Sequence, residues 1–272
     1  MRYYLIFIPF LVVSCKKDDA TPPSGGELSI PVYNHAYAEN YEPDQIDFIL
    51  TNAENAYVLV DPYEAGVPDQ IPGIKVKNNE VGGYMSIGTG ENWRSDFSDL
   101  QPFLVEKEWG EWKGEYFVSE VTTGIVGFMK LRIDQLAEWG CDWVEFDNMD
   151  WIYDDKLRDE YDIKATQEEG IAYYNELCDY VHEKGMKCMA KNTVHEALNF
   201  DGVLYESFHN ELDWWNHDEA EAFIASGKLV IINHYNEKFP NKTYAHYVSL
   251  YSNNISFISE DKKLKRYVHY NQ

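Results

Sequence analysis

Short runs of apolar residues alternate along the chain with longer stretches in which apolar positions return every three or four residues. An unbroken apolar run bounded by turn residues suits a strand covered on both faces, and its alternation with amphipathic helices is the pattern of parallel strands joined by covering helices. The candidate strands are Ile30–Asn34, Tyr57–Asp61, Gly82–Ser86, Trp143–Asp147, Lys187–Lys191, Val203–Glu206, Leu229–Asn233 and Ile255–Ser259. Eight such strands predict an α/β fold, a single (β/α)8 barrel of the TIM type, with an irregular first strand. The length of 272 residues fits, since such barrels usually run to about 250.

The clearest helix opens at Thr166-Gln167-Glu168-Glu169, which has the form of a capping box. Ile171, Tyr174, Cys178 and Val181 then share one face, and Gly185 follows as a stop. A second helix, Ile125 to Trp139, gathers Ile125, Met129, Ile133 and Leu136 on one side before Gly140. A third runs from near Asp218 to Ser226, with Gly227 after it. Between Asp147 and Thr166 lies a long, acidic, aromatic loop, and loops that follow strands at the C-terminal face of a barrel are where its chemistry is kept.

The first 14 residues break this pattern. Met1–Ser14 has a basic residue at Arg2 and an apolar run too short to cross a bilayer, and it reads as a signal peptide. Val12-Val13-Ser14-Cys15 resembles a bacterial lipobox, which implies lipidation of Cys15. Residues 15–28 carry Lys16-Lys17-Asp18-Asp19 and then Thr, Pro, Ser and Gly, a composition with too little apolar surface to fold, so they read as a tether. The folded domain is expected over residues 29–272. The expected place is the outer membrane, possible exposure at the cell surface being implied by the basic-then-acidic run after Cys15, and membrane contact is expected only through the lipid.

With a formal net charge of -24 spread along the chain, nucleic acid is excluded as a partner, since phosphate binding needs basic patches. An acidic cleft instead concentrates a cationic polymer such as one bearing free amines; a simply soluble acidic protein is the plainer alternative. Cys141, Cys178 and Cys188 are odd in number and lack paired zinc-ligand spacing, so they read as small buried apolar residues.

Several strands end in polar or ionisable residues on the face where a barrel gathers its loops: Asp61, Ser86, Asp147, Lys191 with Asn192, Glu206, and Asn233 with His234. One strand ending in Asp is commonplace; several ends converging on one cavity are better explained by a site. Breaking a glycosidic bond takes one carboxylic acid to protonate the leaving oxygen and a second carboxylate as nucleophile or as base for water, and Asp147 and Glu206 are the best pair for it. Glu145 shares the Asp147 side of its strand but lies deeper, where a cation such as Lys191 would pair with it. Asp150 on the following loop is suited to binding sugar hydroxyls or an amine. Asp147-Asn148-Met149-Asp150 also reads as a plain turn, or as a D-x-x-D metal site; no His or Cys accompanies it at ligand spacing, and neither a metal nor an organic cofactor is expected. Trp93, Trp109, Trp112, Trp151, Trp214 and Trp215 fall in loops or at helix starts, where indole faces stack on sugar rings and attract an amine by cation–π contact; packing against a loop is the ordinary alternative for each.

Taken in order, the block from Gly83-Tyr84-Met85-Ser86 to Trp93-Arg94-Ser95-Asp96, then Glu145-Phe146-Asp147-Asn148-Met149-Asp150, then Tyr174-Asn175 with His182 and Gly185, then Ala190-Lys191-Asn192, resemble glycoside hydrolase family 114 over about residues 57–237. The resemblance implies a TIM barrel that cleaves α-1,4-linked galactosamine polymer from within. It implies Asp147 and Glu206 as the catalytic pair, with Asp147 as nucleophile and Glu206 as acid/base by analogy with retaining enzymes, and Asp61, Tyr84, Asp150 and Lys191 along the substrate groove. Two blocks depart from the family: the opening strand reads Ile30-Pro31-Val32-Tyr33-Asn34-His35, and the glutamate block reads Leu204-Tyr205-Glu206-Ser207-Phe208. These departures leave open a hydrolase of a different glycan, or a surface glycan-binding lipoprotein without turnover.

Overall fold

The computed structural model describes residues 30–37, 43–197, 199–206, 217–235, 245–247, 255–260 and 267–269. The signal peptide, the tether with Cys15, and Trp214 and Trp215 lie outside the described residues. The strands are β1 (Val32–Asn34), β2 (Tyr57–Val60), β3 (Glu80–Ser86), β4 (Thr89–Glu91), β5 (Glu115–Phe117), β6 (Trp143–Asp147), β7 (Lys187–Lys191), β8 (Gly202–Glu206), β9 (Leu229–Tyr235), β10 (Ser256–Glu260) and β11 (Tyr267–His269). One sheet runs in the order β1-β2-β3-β6-β7-β8-β9-β10-β11; its first eight strands are parallel neighbours and β11 is antiparallel to β10. The backbone amide of Ile30, just before β1, donates to Ser256 Oγ on β10 at 2.9 Å, so the first and eighth strands meet. The eight expected strands are all present, and they form the (β/α)8 barrel.

Alternation along each strand divides the core in two. Val32, Leu59, Trp143, Met189, Leu204, Ile231 and Ile258, one from each of seven strands, pack together inside the barrel. Their neighbours, among them Val58, Val60, Val144, Phe146, Val203 and Ile232, belong to the larger cluster between sheet and helices. Helices α4 (Thr123–Glu138) and α7 (Gln167–Glu183) supply much of the outer layer, burying Ile125, Met129, Ile133 and Leu136 from one and Tyr174, Leu177, Cys178 and Val181 from the other. The capping box forms: Thr166 Oγ1 accepts from the Glu169 amide at 3.2 Å, and Glu169 Oε2 accepts from the Thr166 amide at 2.8 Å. Gly185 ends α7 at φ +76°, a backbone conformation that favours a residue without Cβ. Cys141, Cys178 and Cys188 are buried and free.

The remaining helices are α1 (Pro43–Asn52), α2 (Ile71–Lys75), α3 (Phe97–Leu100), α5 (Asp150–Tyr153), α6 (Asp155–Tyr161) and α8 (His217–Ala225). Two features differ from the sequence reading. The segment after β3 makes a two-stranded antiparallel sheet, β4 with β5, which stands apart from the barrel sheet. The expected loop after Asp147 winds into α5 and α6, where Asp154 caps α6 by accepting from the amides of Lys156 and Leu157.

Candidate active site

The C-terminal ends of β6, β7 and β8 bring Asp147, Lys191 and Glu206 together because the strands are adjacent and parallel. Lys191 is buried between them. Its Nζ lies 2.8 Å from Asp147 Oδ1, 3.2 Å from Glu206 Oε2 and 3.2 Å from Glu145 Oε1. The oxygens of Asp147 and Glu206 that share this one atom are therefore within about 6 Å of each other. Burial alone would lower the Lys191 pKa, but Asp147, Glu145 and Glu206 outweigh it and hold the pKa well above the ordinary lysine value. The ammonium also donates to Tyr37 Oη at 2.7 Å, and the Tyr37 hydroxyl in turn donates to Glu145.

Three carboxyl groups around one cation leave the centre with excess negative charge. Burial first, then repulsion from Asp147, pushes Glu145 up to about 7 against the pull of Lys191. Burial and the same Asp147 charge push Asp150 up to about 7. The pairing of Glu145 with Lys191 that the strand alternation suggested is present.

The orientation of Asp147 is fixed from the loop beyond it. Ile87 and Gly88 amides donate to its carbonyl at 3.1 and 3.4 Å. Asn148 follows at φ +60° and donates from Nδ2 to Ser86 Oγ, Thr89 Oγ1 and Glu115 Oε2 at 3.0, 2.9 and 3.2 Å. Gly88 makes this approach feasible: a Cβ there would stand 1.6 Å from the Asn148 carbonyl oxygen. Glu206 is held similarly, its amide donating to Asn192 Oδ1 at 2.8 Å and its carboxylate accepting from the Tyr235 hydroxyl.

Asp61, Tyr84, Trp93, Asp147, Asp150, Asn192 and Glu206 all line one open cavity of about 460 Å³, a size suited to a sugar ring and its neighbours. Trp93 is 52% exposed and Trp112 44%, so both indoles are presented at the cavity and not spent in the core. Trp109 also lines it but is buried against Phe117, with ring centroids 4.7 Å apart. Trp151 is wholly buried, which is the packing role.

Three residues expected to face the cavity do not line it: Lys191 is buried among the carboxylates it pairs with, and His234 and Ser86 lie elsewhere. His234 is on the outer side of β9, its ring stacked on Phe257 at 5.6 Å; β9 runs two residues further than expected, and alternation brings Tyr235 to the cavity instead. Ser86 is buried and receives the Asn148 side chain, so it supports the Asp147 loop without reaching the cavity.

Other cavity residues were given no role in sequence, although Glu91 and Arg94 fall within the block from Gly83 to Asp96. Arg94 reaches Asp61 Oδ2 at 2.7 Å and grips Glu91 with two donors at 2.9 and 2.8 Å. Glu115, pushed up to about 8 by burial and then by Glu91, accepts from Thr89 Oγ1 at 2.7 Å. These side chains come from β4, the turn after it and β5, an excursion missed as structure. Among the described residues no group of three or more His, Cys, Asp or Glu is arranged to hold a metal ion.

The fold has known counterparts. The structure of Aspergillus fumigatus Ega3 in complex with galactosamine superposes with a TM-score of 0.71 at 21% identity, covering 90% of this chain and 96% of that one. The glycoside hydrolase domain of PelA from Pseudomonas aeruginosa superposes with a TM-score of 0.62 at 14% identity, covering 90% and 99%. At these identities both likenesses speak for the barrel. No curated protein sequence matches the chain. The family model of glycoside hydrolase family GH114, by contrast, matches residues 27–272, nearly the whole chain beyond its first segment, and so the chain belongs to that family.

Proposed function

We propose that this glycoside hydrolase cleaves α-1,4-linked galactosamine-containing polysaccharide from within, with Asp147 as nucleophile and Glu206 as general acid/base. The observation that carries this reading is the pair of carboxylates held on one ammonium at the mouth of a sugar-sized cavity. In the first step protonated Glu206 gives its proton to the glycosidic oxygen while Asp147 attacks the anomeric carbon, so the bond to the leaving sugar breaks as the bond to Asp147 forms. In the second, Glu206 takes a proton from water, whose oxygen displaces Asp147 and releases the sugar. Lys191 is nearer to Asp147 than to Glu206, which holds the attacking carboxylate in place. The spacing of about 6 Å or less is close to the roughly 5–5.5 Å of retaining enzymes and short of the 6.5–9.5 Å of inverting ones, so the anomeric configuration should be retained.

The galactosamine substrate is supported by family membership, by the acidic cavity and by the ligand named for Ega3. The same reading has the enzyme exported and held at the outer membrane by a lipid on Cys15, facing a cationic polymer. Palmitate labelling that is lost in Cys15→Ala tests the anchor.

Incubation with polygalactosamine should release new reducing ends, and Asp147→Asn and Glu206→Gln should each lower the rate by roughly a thousandfold or more while leaving the fold intact. Full activity in either variant rejects the pair. Polymer bound without new reducing ends would instead identify a glycan-binding protein.

A further inference from the structure

Tyr37 has no part in the two chemical steps above, yet it lines the cavity from the turn that follows β1. Its hydroxyl accepts from Lys191 Nζ at 2.7 Å and donates to Glu145 Oε1. Its ring lies over the same ammonium, with Nζ 4.4 Å from the centroid, and meets Tyr84 edge-on at 6.2 Å. One side chain thus engages Lys191 twice, by its oxygen and by its π-face, and also engages the buried carboxyl group that competes for the cation.

An ammonium has three N–H bonds, and four acceptors surround this one. Tyr37 Oη at 2.7 Å, Asp147 Oδ1 at 2.8 Å and Glu145 Oε1 at 3.2 Å take the protons, and Glu206 Oε2, also 3.2 Å away, is held by charge. Glu145 has the largest unmet demand. It is wholly buried, and its Oε2 has no partner among the described residues. A charge shielded from water pulls harder on an opposite charge than one facing an open cavity, as Asp147 and Glu206 do. Left to charge alone, the ammonium would settle toward Glu145 and away from the reacting pair. Burial is the largest influence on the Glu145 carboxyl, and Lys191 and the Tyr37 hydroxyl offset it.

Resting on the glycosidase reading above, we propose that Tyr37 is a positioning residue: its hydroxyl proton answers Glu145 and its oxygen holds Lys191, so the ammonium stays against Asp147 and Glu206 and fixes where both carboxylates lie. The distances agree, since Nζ is closer to Tyr37 and Asp147 than to the buried Glu145. Tyr37 acts through Lys191 and carries no proton in either step. Its loss therefore weakens turnover more than substrate binding.

Tyr37→Phe removes the oxygen and keeps the ring. A crystal structure of this variant should show Nζ shifted by about 1 Å toward Glu145 and out of contact with Glu206. Steady-state assays on polygalactosamine should show kcat lowered about tenfold with KM changed less than about twofold. Glu145→Gln keeps an oxygen there but removes the competing charge, so Tyr37→Phe added to it should cost less than about threefold in kcat. An unmoved Nζ overturns the proposal, as does an unchanged kcat, a rise in KM alone, or the same fold loss in both backgrounds, which would mark a packing role. Tyr37→Leu serves the same comparisons if the phenylalanine variant does not fold. Because the position of Nζ is read without substrate, the proposal stands or falls apart from any failure to cleave polymer.

Discussion

Replacing Glu145 by glutamine removes one negative charge from beneath the reacting carboxylates while keeping an oxygen for Lys191 and Tyr37. In the unaltered protein this carboxyl is fully buried and its pKa is raised from 4.5 to about 7. The folded state therefore binds a proton more strongly than the unfolded chain does. Between these two values stability falls as pH rises: the cost is absent below about 4.5, grows through the interval and is complete above about 7. At about 1.4 kcal/mol per pKa unit, it amounts to roughly 3 kcal/mol. For a domain of this size that corresponds to a shift of roughly 6–12 °C in melting temperature. Thermal melts at pH 5 and pH 7.5 should show the unaltered protein losing more stability over that interval than Glu145→Gln, by roughly this amount. Asp150 contributes a slope of the same sign, so the variant keeps a residual decline. Equal slopes in the two proteins would refute the reasoning, because the buried carboxyl would then carry no excess charge.

Gly88→Ala places a Cβ 1.6 Å from a backbone oxygen that cannot yield, and should cost about 4 kcal/mol or more, read as failure to express in folded form or as a collapse of the melting temperature. Asn148→Ala removes the donor that anchors the loop after Asp147; with the active-site carboxylates still present, kcat should fall by roughly ten- to a hundredfold with KM changed much less, as steady-state assays on polymer would show. Trp93→Ala exposes its effect in substrate length: KM for long polymer should rise by about tenfold, with melting temperature nearly unchanged because the indole is half-exposed.

The eight barrel strands were legible because a strand covered on both faces has no polar side to display, so runs such as Tyr57-Val58-Leu59-Val60 and Leu229-Val230-Ile231-Ile232 stand out. Helix α7 was legible for a different reason, since its capping box is a local hydrogen-bond device complete within four residues. The β4 and β5 excursion was not, because its strands are three residues each and their buried members include the polar Thr89, Glu91 and Glu115, of which Thr89 and Glu115 are joined to each other across 26 residues of sequence. In the site, strand-end position and alternation located Asp147, Lys191 and Glu206 together. His234 was misplaced because it was counted as a strand-end residue just past Asn233; β9 in fact continues through it to Tyr235, and within a strand alternation turns His234 to the outer side. Ser86 shows the other weakness: its strand position faces the site, yet the buried amide of Asn148 takes it as a partner, a contact across 62 residues of sequence that no local pattern displays.

The shared ammonium at Lys191 means that the two reacting acids lean on a single cation. Neutralising Asp147 releases the cation to its other two neighbours, and neutralising Glu206 does the converse, so each substitution also retunes what it leaves behind. Kinetic losses from single and double replacements will for that reason fail to multiply. A substitution that touches neither acid can still disturb both, because altering one lysine removes the contact that all three carboxyl groups share.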